Sequence, residues 1–319
     1  MFELAAQWLT YTLMGLERGT KLSGAMEFFF YDSMKITALL FGMIFVIGVL
    51  RSYISLAAVR RWTGDKNPVL SALGASVFGA VTPFCSCSSV PIFLSFIKGG
   101  IPMSTAFAFL ITSPLVNEYL VVLMLGVFGL KITIAYVAAG MGMGVAAGLI
   151  IGKLNLERFL ERDMATNNTA EDGPVFTGFK QRLAFGLHEA ADITKKVWIW
   201  VLVGVALGSL IHNYVPQGTI SAVMGAGGIF SVPLAVLLGT PIYGSCAAIV
   251  PIGAALLSKG VPLGTTLAFL MAVSALSLPE AVILRRAMKL PLLAAFFGTV
   301  MLGIIICGYL FNFIAGQLI

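Results

Sequence analysis

Charged residues are scarce in this chain. Only 11% of its 319 residues are Asp, Glu, Lys or Arg, whereas soluble domains usually carry about 25%. Hydrophobic residues make up 59%, and the mean hydropathy is +0.98. A protein with so few charges cannot cover its surface with groups that bind water, so its outer environment must be lipid. The composition excludes a soluble domain, and apolar runs along the whole chain exclude a soluble domain with one anchor.

Cysteine and histidine are also rare, with four and two residues respectively. Four cysteines in apolar surroundings are too few for a secreted disulfide framework, and two histidines exclude a haem-type cluster. No nucleotide-binding P-loop pattern occurs, so the chain does not hydrolyse ATP by itself. The net charge of +6 comes from basic residues at the edges of apolar segments, where they act as topology signals. We therefore expect no enzyme, no cofactor, no resident metal and no nucleic-acid partner.

Apolar segments of two lengths alternate along the chain. Residues 34–53, 132–152, 197–211 and 292–314 are long enough, with modest extension, to cross roughly 30 Å of hydrocarbon. Shorter apolar pieces lie between them, and paired half-helices would satisfy their backbone groups inside a membrane. The pattern predicts an all-α, polytopic membrane protein with broken or re-entrant helices. The breaks are expected at six prolines: Pro83, Pro91, Pro114, Pro241, Pro251 and Pro279.

The two halves of the chain resemble each other at a shift of 160 residues. This shift places Asp32 on Asp192, Pro91 on Pro251, and the Ala-Phe-Leu of residues 108–110 on that of 268–270. The stretch between the halves is polar and turn-rich. We predict a first repeat over residues 1–157, a linker over 158–179 and a second repeat over 180–319. Within the second repeat, the amphipathic residues 180–192 are expected to lie along the membrane surface.

Basic residues predict the orientation of these repeats. Residues 153–196 hold seven Lys or Arg, and further clusters surround Arg51 and Arg285. The positive-inside rule places all three regions in the cytoplasm. Residues 212–217, the counterpart of the Arg51 cluster, have no Lys or Arg, and neither does the chain beyond Phe313. The repeats are therefore expected to be inverted in the inner membrane, with the linker cytoplasmic and the C-terminus outside.

The first break, residues 82–91, carries two thiols. Because prolines flank it, we expect it to be unwound, and in an extended segment Cys85 and Cys87 lie on the same side. Thiolates select soft solutes such as copper(I), zinc or trivalent arsenic, although small cysteines also serve as packing residues, as we expect for Cys307. The substrate-binding candidates of both halves are Cys85, Ser86, Cys87, Ser88, Tyr243 and Cys246.

The second break carries acidic residues within apolar sequence. An acidic residue at the centre of a membrane helix costs about 2.5–3.5 kcal/mol, so it is normally retained for function. Burial favours the protonated form, which makes Glu118 and Glu280 candidates for a proton-coupled step. The alternative is a carboxylate that only caps a half-helix. The proton-coupling or site-lining candidates are Ser113, Asn117, Glu118, Ser277 and Glu280.

These motifs closely resemble the ArsP-type permeases, which export trivalent organoarsenicals. The matching stretches are TPFCSCSSVPIF (residues 82–93), AFLITSPLVNE (108–118) and LSKGVPLGTTLAFLMAVSALSLPE (257–280). The resemblance implies efflux of methylated or aromatic arsenicals, with Cys85 and Cys87 in contact with arsenic. Related branches are associated with copper or zinc efflux, and the thiol of Cys246 keeps a soft metal as an alternative substrate.

Three classes of function remain after this reading. The first is a secondary-active exporter of a small thiophilic solute, working by alternating access, with protons as a candidate coupling ion. The second is a membrane thiol oxidoreductase that uses Cys85 and Cys87. The third is a membrane scaffold or sensor that transports nothing, although a scaffold needs neither an inverted repeat nor buried carboxylates. The sequence does not give the oligomeric state.

Overall fold

A computed structural model describes residues 2–51, 67–82, 86–98, 100–154, 156–160, 178–214, 228–242, 246–285 and 288–318. Within these ranges the regular elements are helices, and the one β-feature is an isolated bridge. The α-helices are α1 (Phe2–Gln7), α2 (Lys21–Arg51), α3 (Pro68–Val81), α4 (Ser86–Lys98), α5 (Met103–Leu115), α6 (Glu118–Phe128), α7 (Leu130–Lys153), α8 (Phe179–Tyr214), α9 (Ser231–Gly239), α10 (Cys246–Ser258), α11 (Leu263–Ala275), α12 (Leu278–Arg285) and α13 (Leu290–Leu318).

Two of the described helices are long and apolar enough to cross a membrane. They span Leu130–Lys153 and Leu290–Gly316, and they contain the predicted crossings at residues 132–152 and 292–314. A third candidate is a helix pair bent by 47°, Met103–Leu115 with Leu120–Phe128. The prediction of an all-α, multi-pass membrane protein is therefore confirmed, and the bend lies in the region where a broken helix was expected.

Helix α8 is longer than the sequence suggested. Residues 180–192, expected to lie on the membrane surface, continue into residues 197–211 as one helix of 36 residues. At 1.5 Å per residue this helix is about 54 Å long. No Pro or Gly lies between the two stretches to interrupt it. Its amphipathic beginning packs against α2: a Cβ added at Gly186 would lie 2.9 Å from the carbonyl oxygen of Phe45.

This contact also gives the relative direction of α2 and α8. Gly186 lies near the beginning of α8, whereas its neighbours Phe45 and Val49 lie near the end of α2. The contact between these two helices is the most extensive of any helix pair in the described chain. Two long helices that pair in this register run antiparallel.

The helices that follow α2 and α8 pack in matching registers. A Cβ at Gly79 would lie 3.2 Å from the carbonyl oxygen of Phe109, and a Cβ at Gly239 would lie 3.2 Å from that of Phe269. The two contacts are 160 residues apart at both partners. They join α3 to α5 and α9 to α11, so the two halves pack equivalent helices in the same way.

A second pair of contacts repeats at the same spacing. Gly148 of α7 lies against Ser104 and Ala108 of α5, and 160 residues later Gly308 of α13 lies against Gly264 and Ala268 of α11. In both cases a small residue lets two backbones approach closely, as is common between membrane helices. Helix α5 is buried along its whole length, which places it at the centre of the first half.

A short junction connects the end of α7 to the segment between α12 and α13. The amide of Lys289 donates to the carbonyl oxygen of Phe159 at 2.8 Å, and Leu160 forms an antiparallel bridge with Met288. Both bridge residues are buried. The junction therefore brings the basic end of the first half close to the basic residues that begin at Arg285.

Candidate substrate-binding site

The first break is shorter than the sequence predicted. Helix α3 ends at Val81, and Thr82 follows in an extended conformation, with its hydroxyl donating to the carbonyl oxygen of Phe78 at 2.6 Å. Helix α4 then begins at Ser86, so the backbone of Cys87 is helical rather than unwound. The expected extended motif, with two thiols on one side, is therefore wrong from Ser86 onward.

Several sequence candidates at this break lie outside the described part of the structure. Pro83 and Cys85 lie outside the described residues, and so do the side chains of Ser86, Cys87 and Ser88. The structure locates Cys87 by its backbone, as the second residue of a 13-residue helix. It therefore leaves the direction of both thiols of the motif as a prediction.

The corresponding break of the second half has a similar threonine hydrogen bond, although the backbone of Thr240 is helical where that of Thr82 is extended. Helix α9 ends at Gly239, and the hydroxyl of Thr240 donates to the carbonyl oxygen of Val236 at 2.7 Å. Pro241 lies in the turn that follows, and α10 begins at Cys246. Tyr243 and the side chain of Cys246 lie outside the described residues. Each half thus places a cysteine within the first two residues of a 13-residue helix.

The prolines act differently from one another. Pro241 lies in a turn and Pro279 is the second residue of α12, a position where a missing amide costs little. Pro91 and Pro251, expected to break helices, instead lie inside α4 and α10, each as the sixth residue. Pro114 is likewise inside α5, one residue from its end. Pro91 and Pro251 remove a backbone donor without ending their helices, whereas Pro114 lies directly before the second break.

The second break is a two-residue interruption closed by a polar cap. In the first half, α5 ends at Leu115 and Val116 is extended; Asn117 then accepts a hydrogen bond from the amide of Leu120 through its side-chain oxygen at 2.8 Å. In the second half, the hydroxyl oxygen of Ser277 accepts from the amide of Glu280 at 3.2 Å. Asn117 and Ser277 are 160 residues apart, and both satisfy a backbone donor at the start of a helix.

The two acidic residues do not occupy equivalent positions. Glu118 is the first residue of α6 and its side chain is exposed, contrary to the expected burial. Glu280 is the third residue of α12 and is 2% exposed. The residue 160 positions before Glu280 is Leu120, which is 0% exposed. Among the side chains whose burial the structure describes, Glu280 is the only buried acidic one.

A buried contact between hydroxyl groups links the two breaks of the first half. The Oγ atoms of Ser89 and Ser113 lie 2.7 Å apart, and both side chains are 0% exposed. Ser113 was a sequence candidate, whereas Ser89 was not among the candidates. The sequence gives no direct signal for this pair, because the contact depends on how α4 is rotated against α5.

The helices that follow the breaks pack crosswise between the halves. Helix α12, which carries Glu280, contacts α4, which carries Cys87. Helix α6, which carries Glu118, contacts α10, which begins at Cys246. The fold therefore brings the acidic break of each half to the thiol-bearing helix of the other half. Such an arrangement has the form of a transport site at an interface between repeats.

The comparison with known proteins agrees with this architecture. A model of the ArsP_1 family, described as predicted permeases, matches residues 21–313. The chain belongs to this permease family. It is 22% identical over 333 aligned positions to the UPF0718 protein MJ0584 of Methanocaldococcus jannaschii, covering 86% of this chain and 91% of that protein.

A second relative of the permease comes from Bacillus subtilis. The UPF0718 protein YcgR is 24% identical over 196 residues, which cover 60% of the permease and 66% of YcgR, just under two thirds. No solved structure matches the permease significantly. The family match supports a multi-pass membrane permease, and the names of these two relatives give no substrate.

Proposed function

We propose that the permease is a secondary-active exporter built from two inverted repeats, residues 1–157 and 180–319, joined by the linker 158–179. Transport proceeds by alternating access, with one repeat rocking against the other around a shared site. The support comes from the repeated contacts at a spacing of 160 residues and from the antiparallel pairing of α2 with α8. Equivalent helices related by a twofold axis in the membrane plane must run in opposite directions.

The basic residues support an orientation with the linker in the cytoplasm. The junction of Leu160 with Met288 brings Arg158 and Arg285 to the same end of the helices. By the positive-inside rule this end faces the cytoplasm. Helix α13 begins beside this junction and is long enough to cross the membrane, so the C-terminus lies outside.

The observation that carries the proposed site is the contact of α4 with α12. It joins the helix of the thiol motif to the helix of the buried carboxylate. The positive end of a helix stabilises a negative group such as a thiolate in its first turn, and Cys87 lies in the first turn of α4. The site thus combines ligands for a soft solute with a group that can exchange a proton.

The solute that fits this chemistry best is a trivalent organoarsenical. Methylarsenite carries two hydroxyl groups on arsenic, and two thiols can replace them, releasing two molecules of water. Cys85 and Cys87 supply these two thiols, with Ser86, Ser88 and Tyr243 lining the site. A third thiol from Cys246 would favour copper(I) or zinc instead, since soft metals take more sulfur ligands.

Glu280 is the proposed proton-coupling group. A carboxyl group this well buried is neutral when protonated and costly when ionised, so its charge can follow the side of the membrane to which the site opens. Its amide is capped by Ser277, which fixes the start of α12. Glu118, which is exposed, serves as a site-lining or capping residue together with Asn117, and Ser113 joins α5 to α4 through its contact with Ser89.

Uptake into everted membrane vesicles tests the proposal. The solutes are methylarsenite, arsenite, copper(I) and zinc, each with and without a proton gradient. We expect gradient-driven accumulation of methylarsenite that is lost in Cys85→Ser and in Cys87→Ser. Cys307→Ser is the matched control, because Cys307 is only half-buried in α13 and packs against the main core.

Three outcomes would contradict parts of the proposal. Normal methylarsenite transport in Cys85→Ser and Cys87→Ser removes the thiol role. Accumulation of copper(I) or zinc but not of methylarsenite replaces the substrate. Oxidation or reduction of a dithiol substrate without movement across the membrane favours the thiol oxidoreductase over the transporter.

A further inference from the structure

One hydrogen bond connects the thiol-bearing helix to the end of the helix before the second break. It is the pair of Ser89 and Ser113, with oxygen atoms 2.7 Å apart in a fully buried contact. Ser89 is the fourth residue of α4, two residues after Cys87. Ser113 lies four residues before Asn117, which caps α6. The pair therefore joins two segments that both belong to the proposed site.

The second half has no hydroxyl pair at the equivalent positions. The residues 160 positions after Ser89 and Ser113 are Ile249 and Val273, which are buried and apolar. Apolar contacts hold two helices together without favouring one direction, whereas a hydrogen bond requires a narrow range of distance and angle. At these positions a hydrogen bond fixes the rotation of α4 on α5, whereas the equivalent positions of α10 and α11 offer only apolar contact.

We infer that Ser89 and Ser113 are positioning residues: their hydrogen bond fixes the rotation of α4 on α5, and so the direction in which the first turn of α4 presents Cys87 of the thiol motif. The inference rests on the proposed function, because it takes that motif as the substrate-binding group. Neither serine touches the solute in this account. They act through the orientation of α4.

A purely structural role for the pair makes a different prediction. A second pair of hydroxyl groups, Ser76 and Thr112, is also buried, with its oxygen atoms 2.9 Å apart. It joins α3 to α5 rather than α4 to α5. If buried hydroxyl pairs only hold helices together, removal of Ser76 and removal of Ser89 have the same consequence for transport.

The transport test compares Ser89→Ala, Ser113→Ala and the double variant with Ser76→Ala in everted vesicles. We expect each single variant to raise the KM for methylarsenite by about threefold, the ratio that corresponds to an average interhelical side-chain hydrogen bond in a membrane. The double variant should match the single variants, because either change already removes the bond. Ser76→Ala should leave KM unchanged, and Ser113→Thr, which retains a hydroxyl, should restore it.

A second readout does not depend on transport. In a chain with Cys85→Ser, Cys246→Ser and Cys307→Ser, only Cys87 reacts with N-ethylmaleimide. We expect Ser89→Ala to change the rate of this reaction by about threefold or more, and Ser76→Ala to leave it unaltered.

The two readouts separate failure of the inference from failure of the proposed function. If no soft solute is transported but the labelling rate of Cys87 changes in Ser89→Ala and not in Ser76→Ala, the positioning role stands and the proposed substrate class fails. If transport depends on the thiols but Ser89→Ala, Ser113→Ala and Ser76→Ala all behave alike in both readouts, the positioning role is wrong.

Discussion

The two halves of the permease share a helix order but differ in what fills equivalent positions. In the first half, α7 presents a glycine every fourth residue to α5, and in the second half only one of these positions in α13 is still glycine. The four glycines are Gly140, Gly144, Gly148 and Gly152, and their counterparts are Val300, Ile304, Gly308 and Asn312.

The buried polar residues also differ between the halves. The first half has the buried pair of Ser89 and Ser113, where the second half has two apolar residues. The second half has the buried Glu280, where the first half has Leu120. The comparison teaches that the two halves of a duplicated scaffold can differ in composition at equivalent positions: the first half has the row of glycines and the buried serine pair, and the second half has the buried carboxyl group.

The largest expected difference between the halves is in proton coupling. It is tested by neutralising the acidic residue of each half separately. Glu280→Gln keeps the shape of the side chain but removes its exchangeable proton, so we expect gradient-driven accumulation to fall by at least about tenfold. Glu118→Gln changes an exposed position, so its gradient-driven accumulation should be close to that of the unchanged permease. The measurement is initial uptake of methylarsenite in everted vesicles with an imposed proton gradient.

Downhill exchange of the solute provides the control for this prediction. Glu280→Gln should still exchange external for internal methylarsenite without a gradient, because binding by the thiols is retained. An equal loss in Glu118→Gln and Glu280→Gln would show that the halves share the coupling step, and would remove the asymmetry argued here.

The glycines test the difference in packing between the halves. A Cβ at Gly148 would lie 2.6 Å from the carbonyl oxygen of Ser104, a backbone atom with little freedom, whereas a Cβ at Gly308 would first meet the side chain of Val232 at 2.6 Å. We expect Gly148→Ala to destabilise the permease by about 1–3 kcal/mol, the usual cost of overpacking, and Gly308→Ala to cost less.

Gly142→Ala is the matched control, because a Cβ at this position of α7 has no neighbour within 4 Å. Unfolding in mixed detergent micelles gives the three stabilities. If Gly148→Ala is no less stable than Gly142→Ala, the close approach of α5 and α7 is not what holds the first half together.

The smallest expected difference concerns hydroxyl pairs that both halves possess. Ser76 pairs with Thr112 in the first half, and Ser231 pairs with Thr265 at 2.9 Å in the second. Such bonds contribute about 0.6 kcal/mol on average in membrane proteins, so Ser76→Ala and Ser231→Ala should each lower the free energy of unfolding by about that amount. A clearly larger loss for either would mean that its half depends on polar contacts more than this account allows.

The sequence predicted the second break well, because its signals are local. Pro114 and Asn117 in one half, and Ser277 with Pro279 in the other, are residues that end a helix or cap the next one. The break after α9 was also predicted correctly at Pro241, which lies in a turn.

The first break was predicted less well, because the answer depends on tertiary contacts. Two prolines around the thiol motif suggested an unwound segment, yet α4 begins at Ser86 and continues through Pro91. Packing against α5 stabilises this helix despite the lost backbone donor. Two other features also depend on tertiary structure. Glu118 is exposed at its place as the first residue of α6, and the partner of Ser89 is set by the rotation of α4.

The opposite direction of the two halves is the claim that the rest of the account requires. Thr20 and Lys180 are both exposed, lie 160 residues apart, and stand next to the beginnings of α2 and α8. Single cysteines at these positions, in a chain whose four native cysteines are replaced by serine, can be labelled with a membrane-impermeant maleimide. The account predicts that Lys180→Cys reacts in everted vesicles and Thr20→Cys only in right-side-out vesicles. Labelling of both positions from the same side of the membrane would contradict it.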